Sequence, residues 1–324
     1  MARRMLDAQT SHLAAMTGRE LLESFRAAEG RTLVAEIIAP APPLLGDVTN
    51  AELARAFGAD LILLNMFDVE RPRIEGLPSG DDDFFLRTYP DGSVLGGPVR
   101  IGAIRELKVL VGRPVAVNLE PVDDDEVVLS MRAPVPPGRR ATAESALEAK
   151  EQGASMIVLT GNPATGVTTA AITGALGTLR KAVGPDLILA AGKMHGAGSS
   201  RDAASPLVDE GTIEAWVGSG ADIVLLPAPG TVPGLSVDAV RSRVDAVHGR
   251  GALAMTTIGT SQEGSDEATI RQIALWAKSC GADLHHIGDS GYPGIAVPEN
   301  ILAYSVAIRG RRHAWRRMAS SLAR

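Results

Sequence analysis

Four ionisable residues and one carboxamide lie in, or directly after, apolar runs of the chain. Glu36 interrupts Leu33-Val-Ala-Glu-Ile-Ile-Ala. Asn118 and Glu120 end Pro114-Val-Ala-Val-Asn-Leu-Glu-Pro. Lys193 and His195 close Leu189-Ala-Ala-Gly-Lys-Met-His. A carboxylate inside a core strand is costly unless paired, and Lys193 is the natural partner for Glu36 in a closed barrel. Glu36, Asn118, Glu120, Lys193 and His195 form the expected catalytic constellation. Burial would push such acids and bases toward neutrality, which suits general acid–base catalysis. The alternative is a Glu36–Lys193 ion pair that only fills the interior. Lys193 has two possible jobs. As an ammonium it would stabilise an enolate or a phosphate oxygen; with its pKa lowered it would attack a carbonyl and form an imine. Nearby carboxylates favour the ammonium.

Asn65, Asp68, Thr160 and Asn162 follow two further apolar runs and are expected to bind substrate. Asp68, Glu120 and His195 could together ligate a divalent ion; an oxygen-rich set suits magnesium or manganese. No ligand-spacing motif supports this. In His285-His286, strand neighbours point to opposite faces, so at most one can enter a barrel. Two glycine- and hydroxyl-rich stretches, Thr256-Thr-Ile-Gly-Thr-Ser-Gln-Glu-Gly-Ser and Gly288-Asp-Ser-Gly-Tyr-Pro-Gly, offer Gly259, Thr260, Ser261, Gly288, Ser290 and Gly291 as a phosphate cradle. Asp289 argues against it unless its carboxylate points away, and ordinary tight turns are the alternative. Gly161-Asn-Pro-Ala-Thr-Gly lacks the Lys of a nucleotide P-loop.

Eight short apolar runs must position these residues: Leu33–Ala39, Leu61–Phe67, Val115–Leu119, Met156–Thr160, Leu187–Ala191, Ile223–Leu226, Leu253–Thr257 and Leu284–Ile287. Each has the length of a buried strand, and the spacing leaves room for a helix between neighbours. Helices end at Gly58-Ala-Asp, Gly153-Ala-Ser, Gly220-Ala-Asp and Gly281-Ala-Asp, where glycine supplies the left-handed residue past the helix. Such alternation implies a parallel sheet with right-handed crossovers, and eight units close a (β/α)8 TIM barrel. A doubly wound open sheet is the structural alternative. Capped helix starts are expected at Thr49 and Thr142, and Ile270, Ile273 and Ala274 share one helix face. One domain is expected over residues 1–324. Residues 1–30 form a helical extension, with a helix over 18–29 as a lid on the barrel's bottom. Insertions at 69–97 and 121–141 follow strands two and three. The first carries Asp81-Asp-Asp-Phe-Phe and Tyr89, and reads as a substrate wall, a mobile lid or a contact in a homo-oligomer. The basic stretch 309–324 reads as a solvated final helix packed through Trp315 and Met318.

Hydrophobic residues are 45% of the 324, charged residues 22% and aromatics 3%, so the core must be aliphatic, as in parallel sheets covered by helices. The net charge of −6 makes a nucleic-acid partner unlikely. A single cysteine, Cys280, excludes an intramolecular disulfide and reads as a packed hydrophobe. No apolar run reaches membrane-spanning length, and no apolar stretch follows Met1-Ala-Arg-Arg, so the cytoplasm is the expected location.

Asp60-Leu-Ile-Leu-Leu-Asn-Met-Phe-Asp, Pro114-Val-Ala-Val-Asn-Leu, Gly153-Ala-Ser-Met-Ile-Val-Leu-Thr-Gly and Ala221-Asp-Ile-Val-Leu-Leu-Pro-Ala-Pro-Gly-Thr are similar in layout to the BtpA family of phosphate-binding barrels. The resemblance spans roughly residues 31–300 and departs in the first strand, in Gly192-Lys-Met-His and in the last loop. It implies the barrel fold, and it allows a non-catalytic binding or assembly protein. The residues themselves point to an enzyme on a small phosphorylated metabolite, by isomerase, epimerase or lyase chemistry. A metal-dependent phosphoenolpyruvate mutase or lyase is a further possibility.

Overall fold

Alternating apolar strands and amphipathic helices close on themselves in the computed structural model, which describes residues 3–78, 102–199, 207–291 and 293–324. The order is α1 (Thr10–Ala15), α2 (Gly18–Arg26), β1 (Thr32–Ile38), α3 (Asn50–Ala56), β2 (Leu61–Asn65), α4 (Ala103–Val111), β3 (Val115–Leu119), α5 (Ala143–Glu151) and β4 (Met156–Leu159). It continues with α6 (Thr169–Val183), β5 (Ile188–Gly192), α7 (Glu210–Gly218), β6 (Ile223–Pro227), α8 (Val237–Gly249), β7 (Leu253–Ile258), α9 (Glu267–Ser279), β8 (Leu284–Ile287) and α10 (Pro298–Ala319). All eight strands are parallel and pair in sequence order, with β8 returning to β1. This is the (β/α)8 barrel expected from the sequence, with β3 and β8 at their expected limits and the other strands shifted by one or two residues. The open-sheet alternative is thereby removed. Thr49 and Thr142 cap α3 and α5 by accepting the amides of Glu52 and Ser145, and Ile270, Ile273 and Ala274 are buried on α9.

Strand alternation sorts the core into two shells. Leu33, Val115, Val117, Leu189 and Ala191 pack outward against the helices; Val34, Leu61, Leu63, Ala116, Val158 and Leu284 fill the interior. Leu21, Leu22 and Phe25 of α2 join that inner cluster, so the N-terminal helix plugs one end of the barrel as expected.

The Gly-Ala-Asp turns do more than reverse the chain. Asp60 accepts the amide of Leu33 at 2.8 Å, Asp222 that of Leu189 at 3.0 Å and Asp283 that of Ala254 at 2.9 Å. Each carboxylate therefore ties the start of its strand to the preceding strand, and each meets a basic side chain: Arg309 and Arg317, Arg180, and His248 respectively, the last with its pKa raised by the Asp283 hydrogen bond. This corrects the reading of the C-terminal helix. α10 docks through buried Arg309, Ala314 and Arg317, while Trp315 is 61% exposed. Arg309 and Arg317 point inward, since Asp60, wholly buried, would otherwise be an unpaired charge, while Arg311, Arg312 and Arg316 stay exposed. Cys280 is a buried free thiol, as expected, and burial raises its pKa. Among the described residues no helix is long and apolar enough to cross a membrane. The acidic run at 81–85 and Tyr89, within the expected wall or lid, lie outside the described residues.

His285 points outward. Its Nε2 donates to the Gly30 carbonyl at 3.0 Å, and its Nδ1 lies 3.2 Å from the Tyr304 hydroxyl. Burial lowers its pKa from 6.5 to about 4. The unfolded chain takes up this proton below about pH 6.5 and the native chain does not until about pH 4, so stability falls as the pH is lowered across that window, by roughly 3 kcal/mol. Asp289 acts in the opposite direction: its carboxyl is raised from 3.8 to about 6, so the native chain binds that proton first. The two are separated by difference. Urea unfolding from pH 4 to 7 should show a stability gain with pH in the wild type that is smaller in His285→Gln. Equal slopes in the two proteins would contradict a neutral buried His285.

Candidate active site

At the C-terminal end of the barrel the inward positions change from apolar to polar. On β1, Val34 is followed two residues on by Glu36; on β2, Leu63 by Asn65; on β3, Ala116 by Asn118 and Glu120; on β8, Leu284 by His286. The adjoining cavity of about 350 Å³ is lined by Glu36, Asn65, Thr160, Asn162, His195 and His286, and by the loops after β7 and β8.

Asn65 is the hub. Its Nδ2 donates to Glu36 Oε1 at 2.7 Å and to Asn162 Oδ1 at 2.8 Å. Its Oδ1 accepts from Asn162 at 3.0 Å, from Asn118 at 3.2 Å and from the Met66 amide at 2.8 Å. Glu120 accepts the Asn162 amide at 3.0 Å and pairs with Arg139. Arg139 comes from the 121–141 insertion, where a Cβ on Gly138 would stand only 1.9 Å from Asp68 Oδ1, so the chain passes there because residue 138 has no side chain. Glu36, Asn118, Glu120, Asn65 and Asn162, drawn separately from sequence, therefore share one hydrogen-bonded network.

Three expectations change. First, the partner seen for Glu36 is not Lys193 but His286, at 2.8 Å from Oε2 to Nε2. Lys193 stands just past the end of β5 and is not among the residues that line the cavity, whereas His195 is; its Nζ donates to the Val167 carbonyl at 2.8 Å. Second, Asp68, Glu120 and His195 are not brought together. Asp68 Oδ1 instead accepts the amides of Glu70 and Arg71 at 2.9 and 3.2 Å. Among the described residues no group of three or more His, Cys, Asp or Glu is placed to hold a metal ion. Third, the loops after β7 and β8 do line the cavity, with Gly259, Thr260, Ser261, Gly288, Ser290 and Gly291, yet three of their amides are occupied. Ser261 N donates to Glu263 Oε1 at 3.2 Å, Gly291 N to Asp289 Oδ1 at 2.5 Å and Gly288 N to the Ile258 carbonyl at 2.8 Å. Glu263 and Asp289 also line the cavity, whereas none of its described lining residues is Lys or Arg.

His286 stands in the sequence only as one of two neighbouring histidines of which at most one can enter the barrel, Asp289 only as an argument against phosphate, and Arg139 and Glu263 carry no assigned role there. His286 was reachable by parity alone, since it lies two residues from inward Leu284. Arg139 was not, because it ends a short 3-10 turn (Pro137–Arg139) in the insertion after β3, where no strand period assigns a face.

The electrostatics divide the titratable groups. A carboxylate can only accept, so where Glu36 is the acceptor the N–H of a neutral His286 sits on Nε2 and Nδ1 keeps its lone pair. That Nδ1 is buried and has no partner among the described residues. His195 Nδ1 accepts the Ala197 amide at 2.9 Å, so in neutral His195 the N–H is on Nε2. Burial and then Lys193 lower the His195 pKa, which keeps the ring neutral. Burial, and then Glu36, raise Asp289 to about 6. The cavity lining thus includes an imidazole whose buried Nδ1 has no partner among the described residues, a neutral imidazole N–H donor and a carboxyl that keeps its proton up to about pH 6.

A family model described as a domain of unknown function, DUF7916, matches residues 6–324. No curated protein matches the sequence. Among solved structures, an archaeal fructose-1,6-bisphosphate aldolase with its catalytic Lys covalently bound to the carbinolamine intermediate of the substrate is 17% identical, with 90% of this chain and 100% of that chain covered and a TM-score of 0.52. Another structure of an archaeal fructose 1,6-bisphosphate aldolase is 16% identical over 89% of this chain and 98% of that chain, with a TM-score of 0.51. At such identity the likeness is one of fold.

Proposed function

The chain belongs to the DUF7916 family, and from its barrel mouth we propose an enzyme that moves protons on a small carbonyl metabolite, as an isomerase, epimerase or lyase does. The observation that carries this reading is the Glu36–His286 pair, 2.8 Å apart and buried, with His286 Nδ1 left free to accept a proton. Glu36 fixes the tautomer and steadies the imidazolium that forms. Neutral His195 donates its Nε2–H to the carbonyl oxygen as the adjacent carbon loses its proton, and the protonated Asp289 carboxyl returns a proton. Asn65, itself bonded to Asn162, holds Glu36 in place, and Ser290, whose Oγ is buried and unpartnered among the described residues, belongs to the same cavity lining. The opposite shifts of His195 and Asp289 in one cavity keep the first a neutral hydrogen-bond donor and the second an acid below about pH 6.

The test is exchange of the hydrogens next to the carbonyl in dihydroxyacetone phosphate and in pyruvate, followed by NMR in deuterium oxide. Exchange should be catalysed, and its rate should decline above about pH 6 as Asp289 loses its proton. In Asp289→Asn that descending limb should vanish. Absence of exchange with a wide panel of carbonyl compounds would instead leave the binding or assembly barrel that the BtpA-like layout implies.

The archaeal aldolase above forms a carbinolamine on its catalytic Lys. In this chain Lys193 is 2% exposed and hydrogen-bonded to the Val167 carbonyl, so we assign it the ammonium role: it holds the loop after β4 and keeps His195 neutral. Borohydride with dihydroxyacetone phosphate or fructose 1,6-bisphosphate should leave the protein mass unchanged. A reduced adduct on Lys193 would establish imine chemistry.

A further inference from the structure

A second cavity of about 580 Å³ opens beside the first. Met194, His195 and Thr260 line both. Its other walls are mainly apolar, with Leu207, Val208, Pro227, Val232, Pro233 and Leu235 contributed by the chain leading into α7 and by the loop after β6. The polar side chains at this wall are largely committed: Thr231 Oγ1 donates to the Ala228 carbonyl at 2.7 Å and Thr260 Oγ1 to the Thr231 carbonyl at 2.7 Å.

Arg243, on α8, is the one cation among the described lining residues. Its Nε donates to the Val208 carbonyl at 2.6 Å and its Nη1 to the Ala239 carbonyl at 2.9 Å, which fixes the guanidinium plane and leaves Nη2 without a partner among the described residues. Asp209 is near enough to feel this charge, but its Oδ1 accepts the Thr212 amide at 2.8 Å as the cap of α7. An apolar channel with a fixed cation in its wall and a neutral imidazole at its junction with the barrel mouth selects a specific ligand shape.

We propose that this cavity binds the non-reacting arm of the substrate, an aliphatic chain of about four to eight carbons ending in a carboxylate that pairs with Arg243 Nη2. The substrate's carbonyl then meets His195 where the two cavities join. The placement also separates charges sensibly: the anion sits at the guanidinium, away from Glu36, Glu263 and Asp289, whose carboxylates would repel it. This assignment deepens the acid–base reading of the mouth, yet it is read by binding alone, so either can fail without the other.

Binding of acetate, butanoate, hexanoate and octanoate, with inorganic phosphate as control, would be measured by calorimetry at pH 7. Each methylene entering an apolar site contributes about 0.8 kcal/mol, so the dissociation constant should fall about fourfold per carbon until the cavity is filled. Arg243→Met should weaken hexanoate binding roughly 10- to 100-fold, the effect of losing a charged hydrogen bond, and Arg243→Lys should retain the chain-length trend. Val232→Trp fills the channel and should abolish the trend while circular dichroism confirms the fold. A flat series, equal affinity in the wild type and Arg243→Met, or phosphate binding as tightly as octanoate would each overturn the assignment.

Discussion

His286→Gln is expected to lower carbonyl-adjacent proton exchange by about 10²- to 10⁴-fold, the range that a positioned general base contributes. Glutamine keeps a hydrogen bond to Glu36 and much of the volume, so the fold should survive while the basic nitrogen disappears. Glu36→Gln should lose nearly as much. A neutral amide can donate to His286 Nε2 as readily as accept from it, which releases the tautomer that Glu36 now fixes at 2.8 Å. Because the two residues act as a unit, the double variant should be little worse than either single one. Full exchange activity in a folded His286→Gln variant would remove the base from the proposal. Activity losses that multiplied in the double variant would show that the residues act separately.

Asp60→Ala is expected to cost about 3–5 kcal/mol of stability, since it removes one partner of a buried charge cluster. Arg309 Nη1 and Arg317 Nε lie 2.5 and 2.7 Å from its two oxygens. Arg113 stands close by as a third guanidinium, its pKa lowered to about 9 mainly by burial and then by Arg317. Without Asp60 three cations face one another, and the Leu33 amide at the start of β1 loses its acceptor. Thermal unfolding should come roughly 5–10 °C earlier. Asp60→Asn, which preserves the hydrogen bond but not the charge, should fall between the two. A melting temperature within 1 °C of the wild type would show that α10 does not depend on this cluster. The site lies at the N-terminal face of the barrel, where such residues serve stability, so activity per folded molecule should be unchanged.

Strand positions and strand faces were legible in the chain because both are local. An apolar run bounded by glycine turns has one reasonable length, and the two-residue period assigns every side chain in it to the helices or the interior. Glu36, Asn65, Asn118, Glu120 and Asn162 were found in this way. Lys193 shows where the method stops. The strand ends at Gly192, just before it, and the pairing of Lys193 with Glu36 was inferred from charge alone. The final helix failed for a related reason. Its arginines look solvent-facing in any local window, because nothing near them in sequence announces a buried carboxylate at Asp60.

By itself, then, the sequence determined the barrel, its plugged lower end and the polar residues at its mouth, since periodicity and turn chemistry act over a few residues. Only the tertiary structure decided the partners. Glu36 meets His286 because β8 closes onto β1, an event separated by 250 residues of chain. Glu120 meets Arg139 through an irregular insertion, and Asp289 becomes a weak acid only when closure buries it near Glu36. Proton affinities depend on burial and on charges a few ångströms away, and neither distance exists until the sheet has closed.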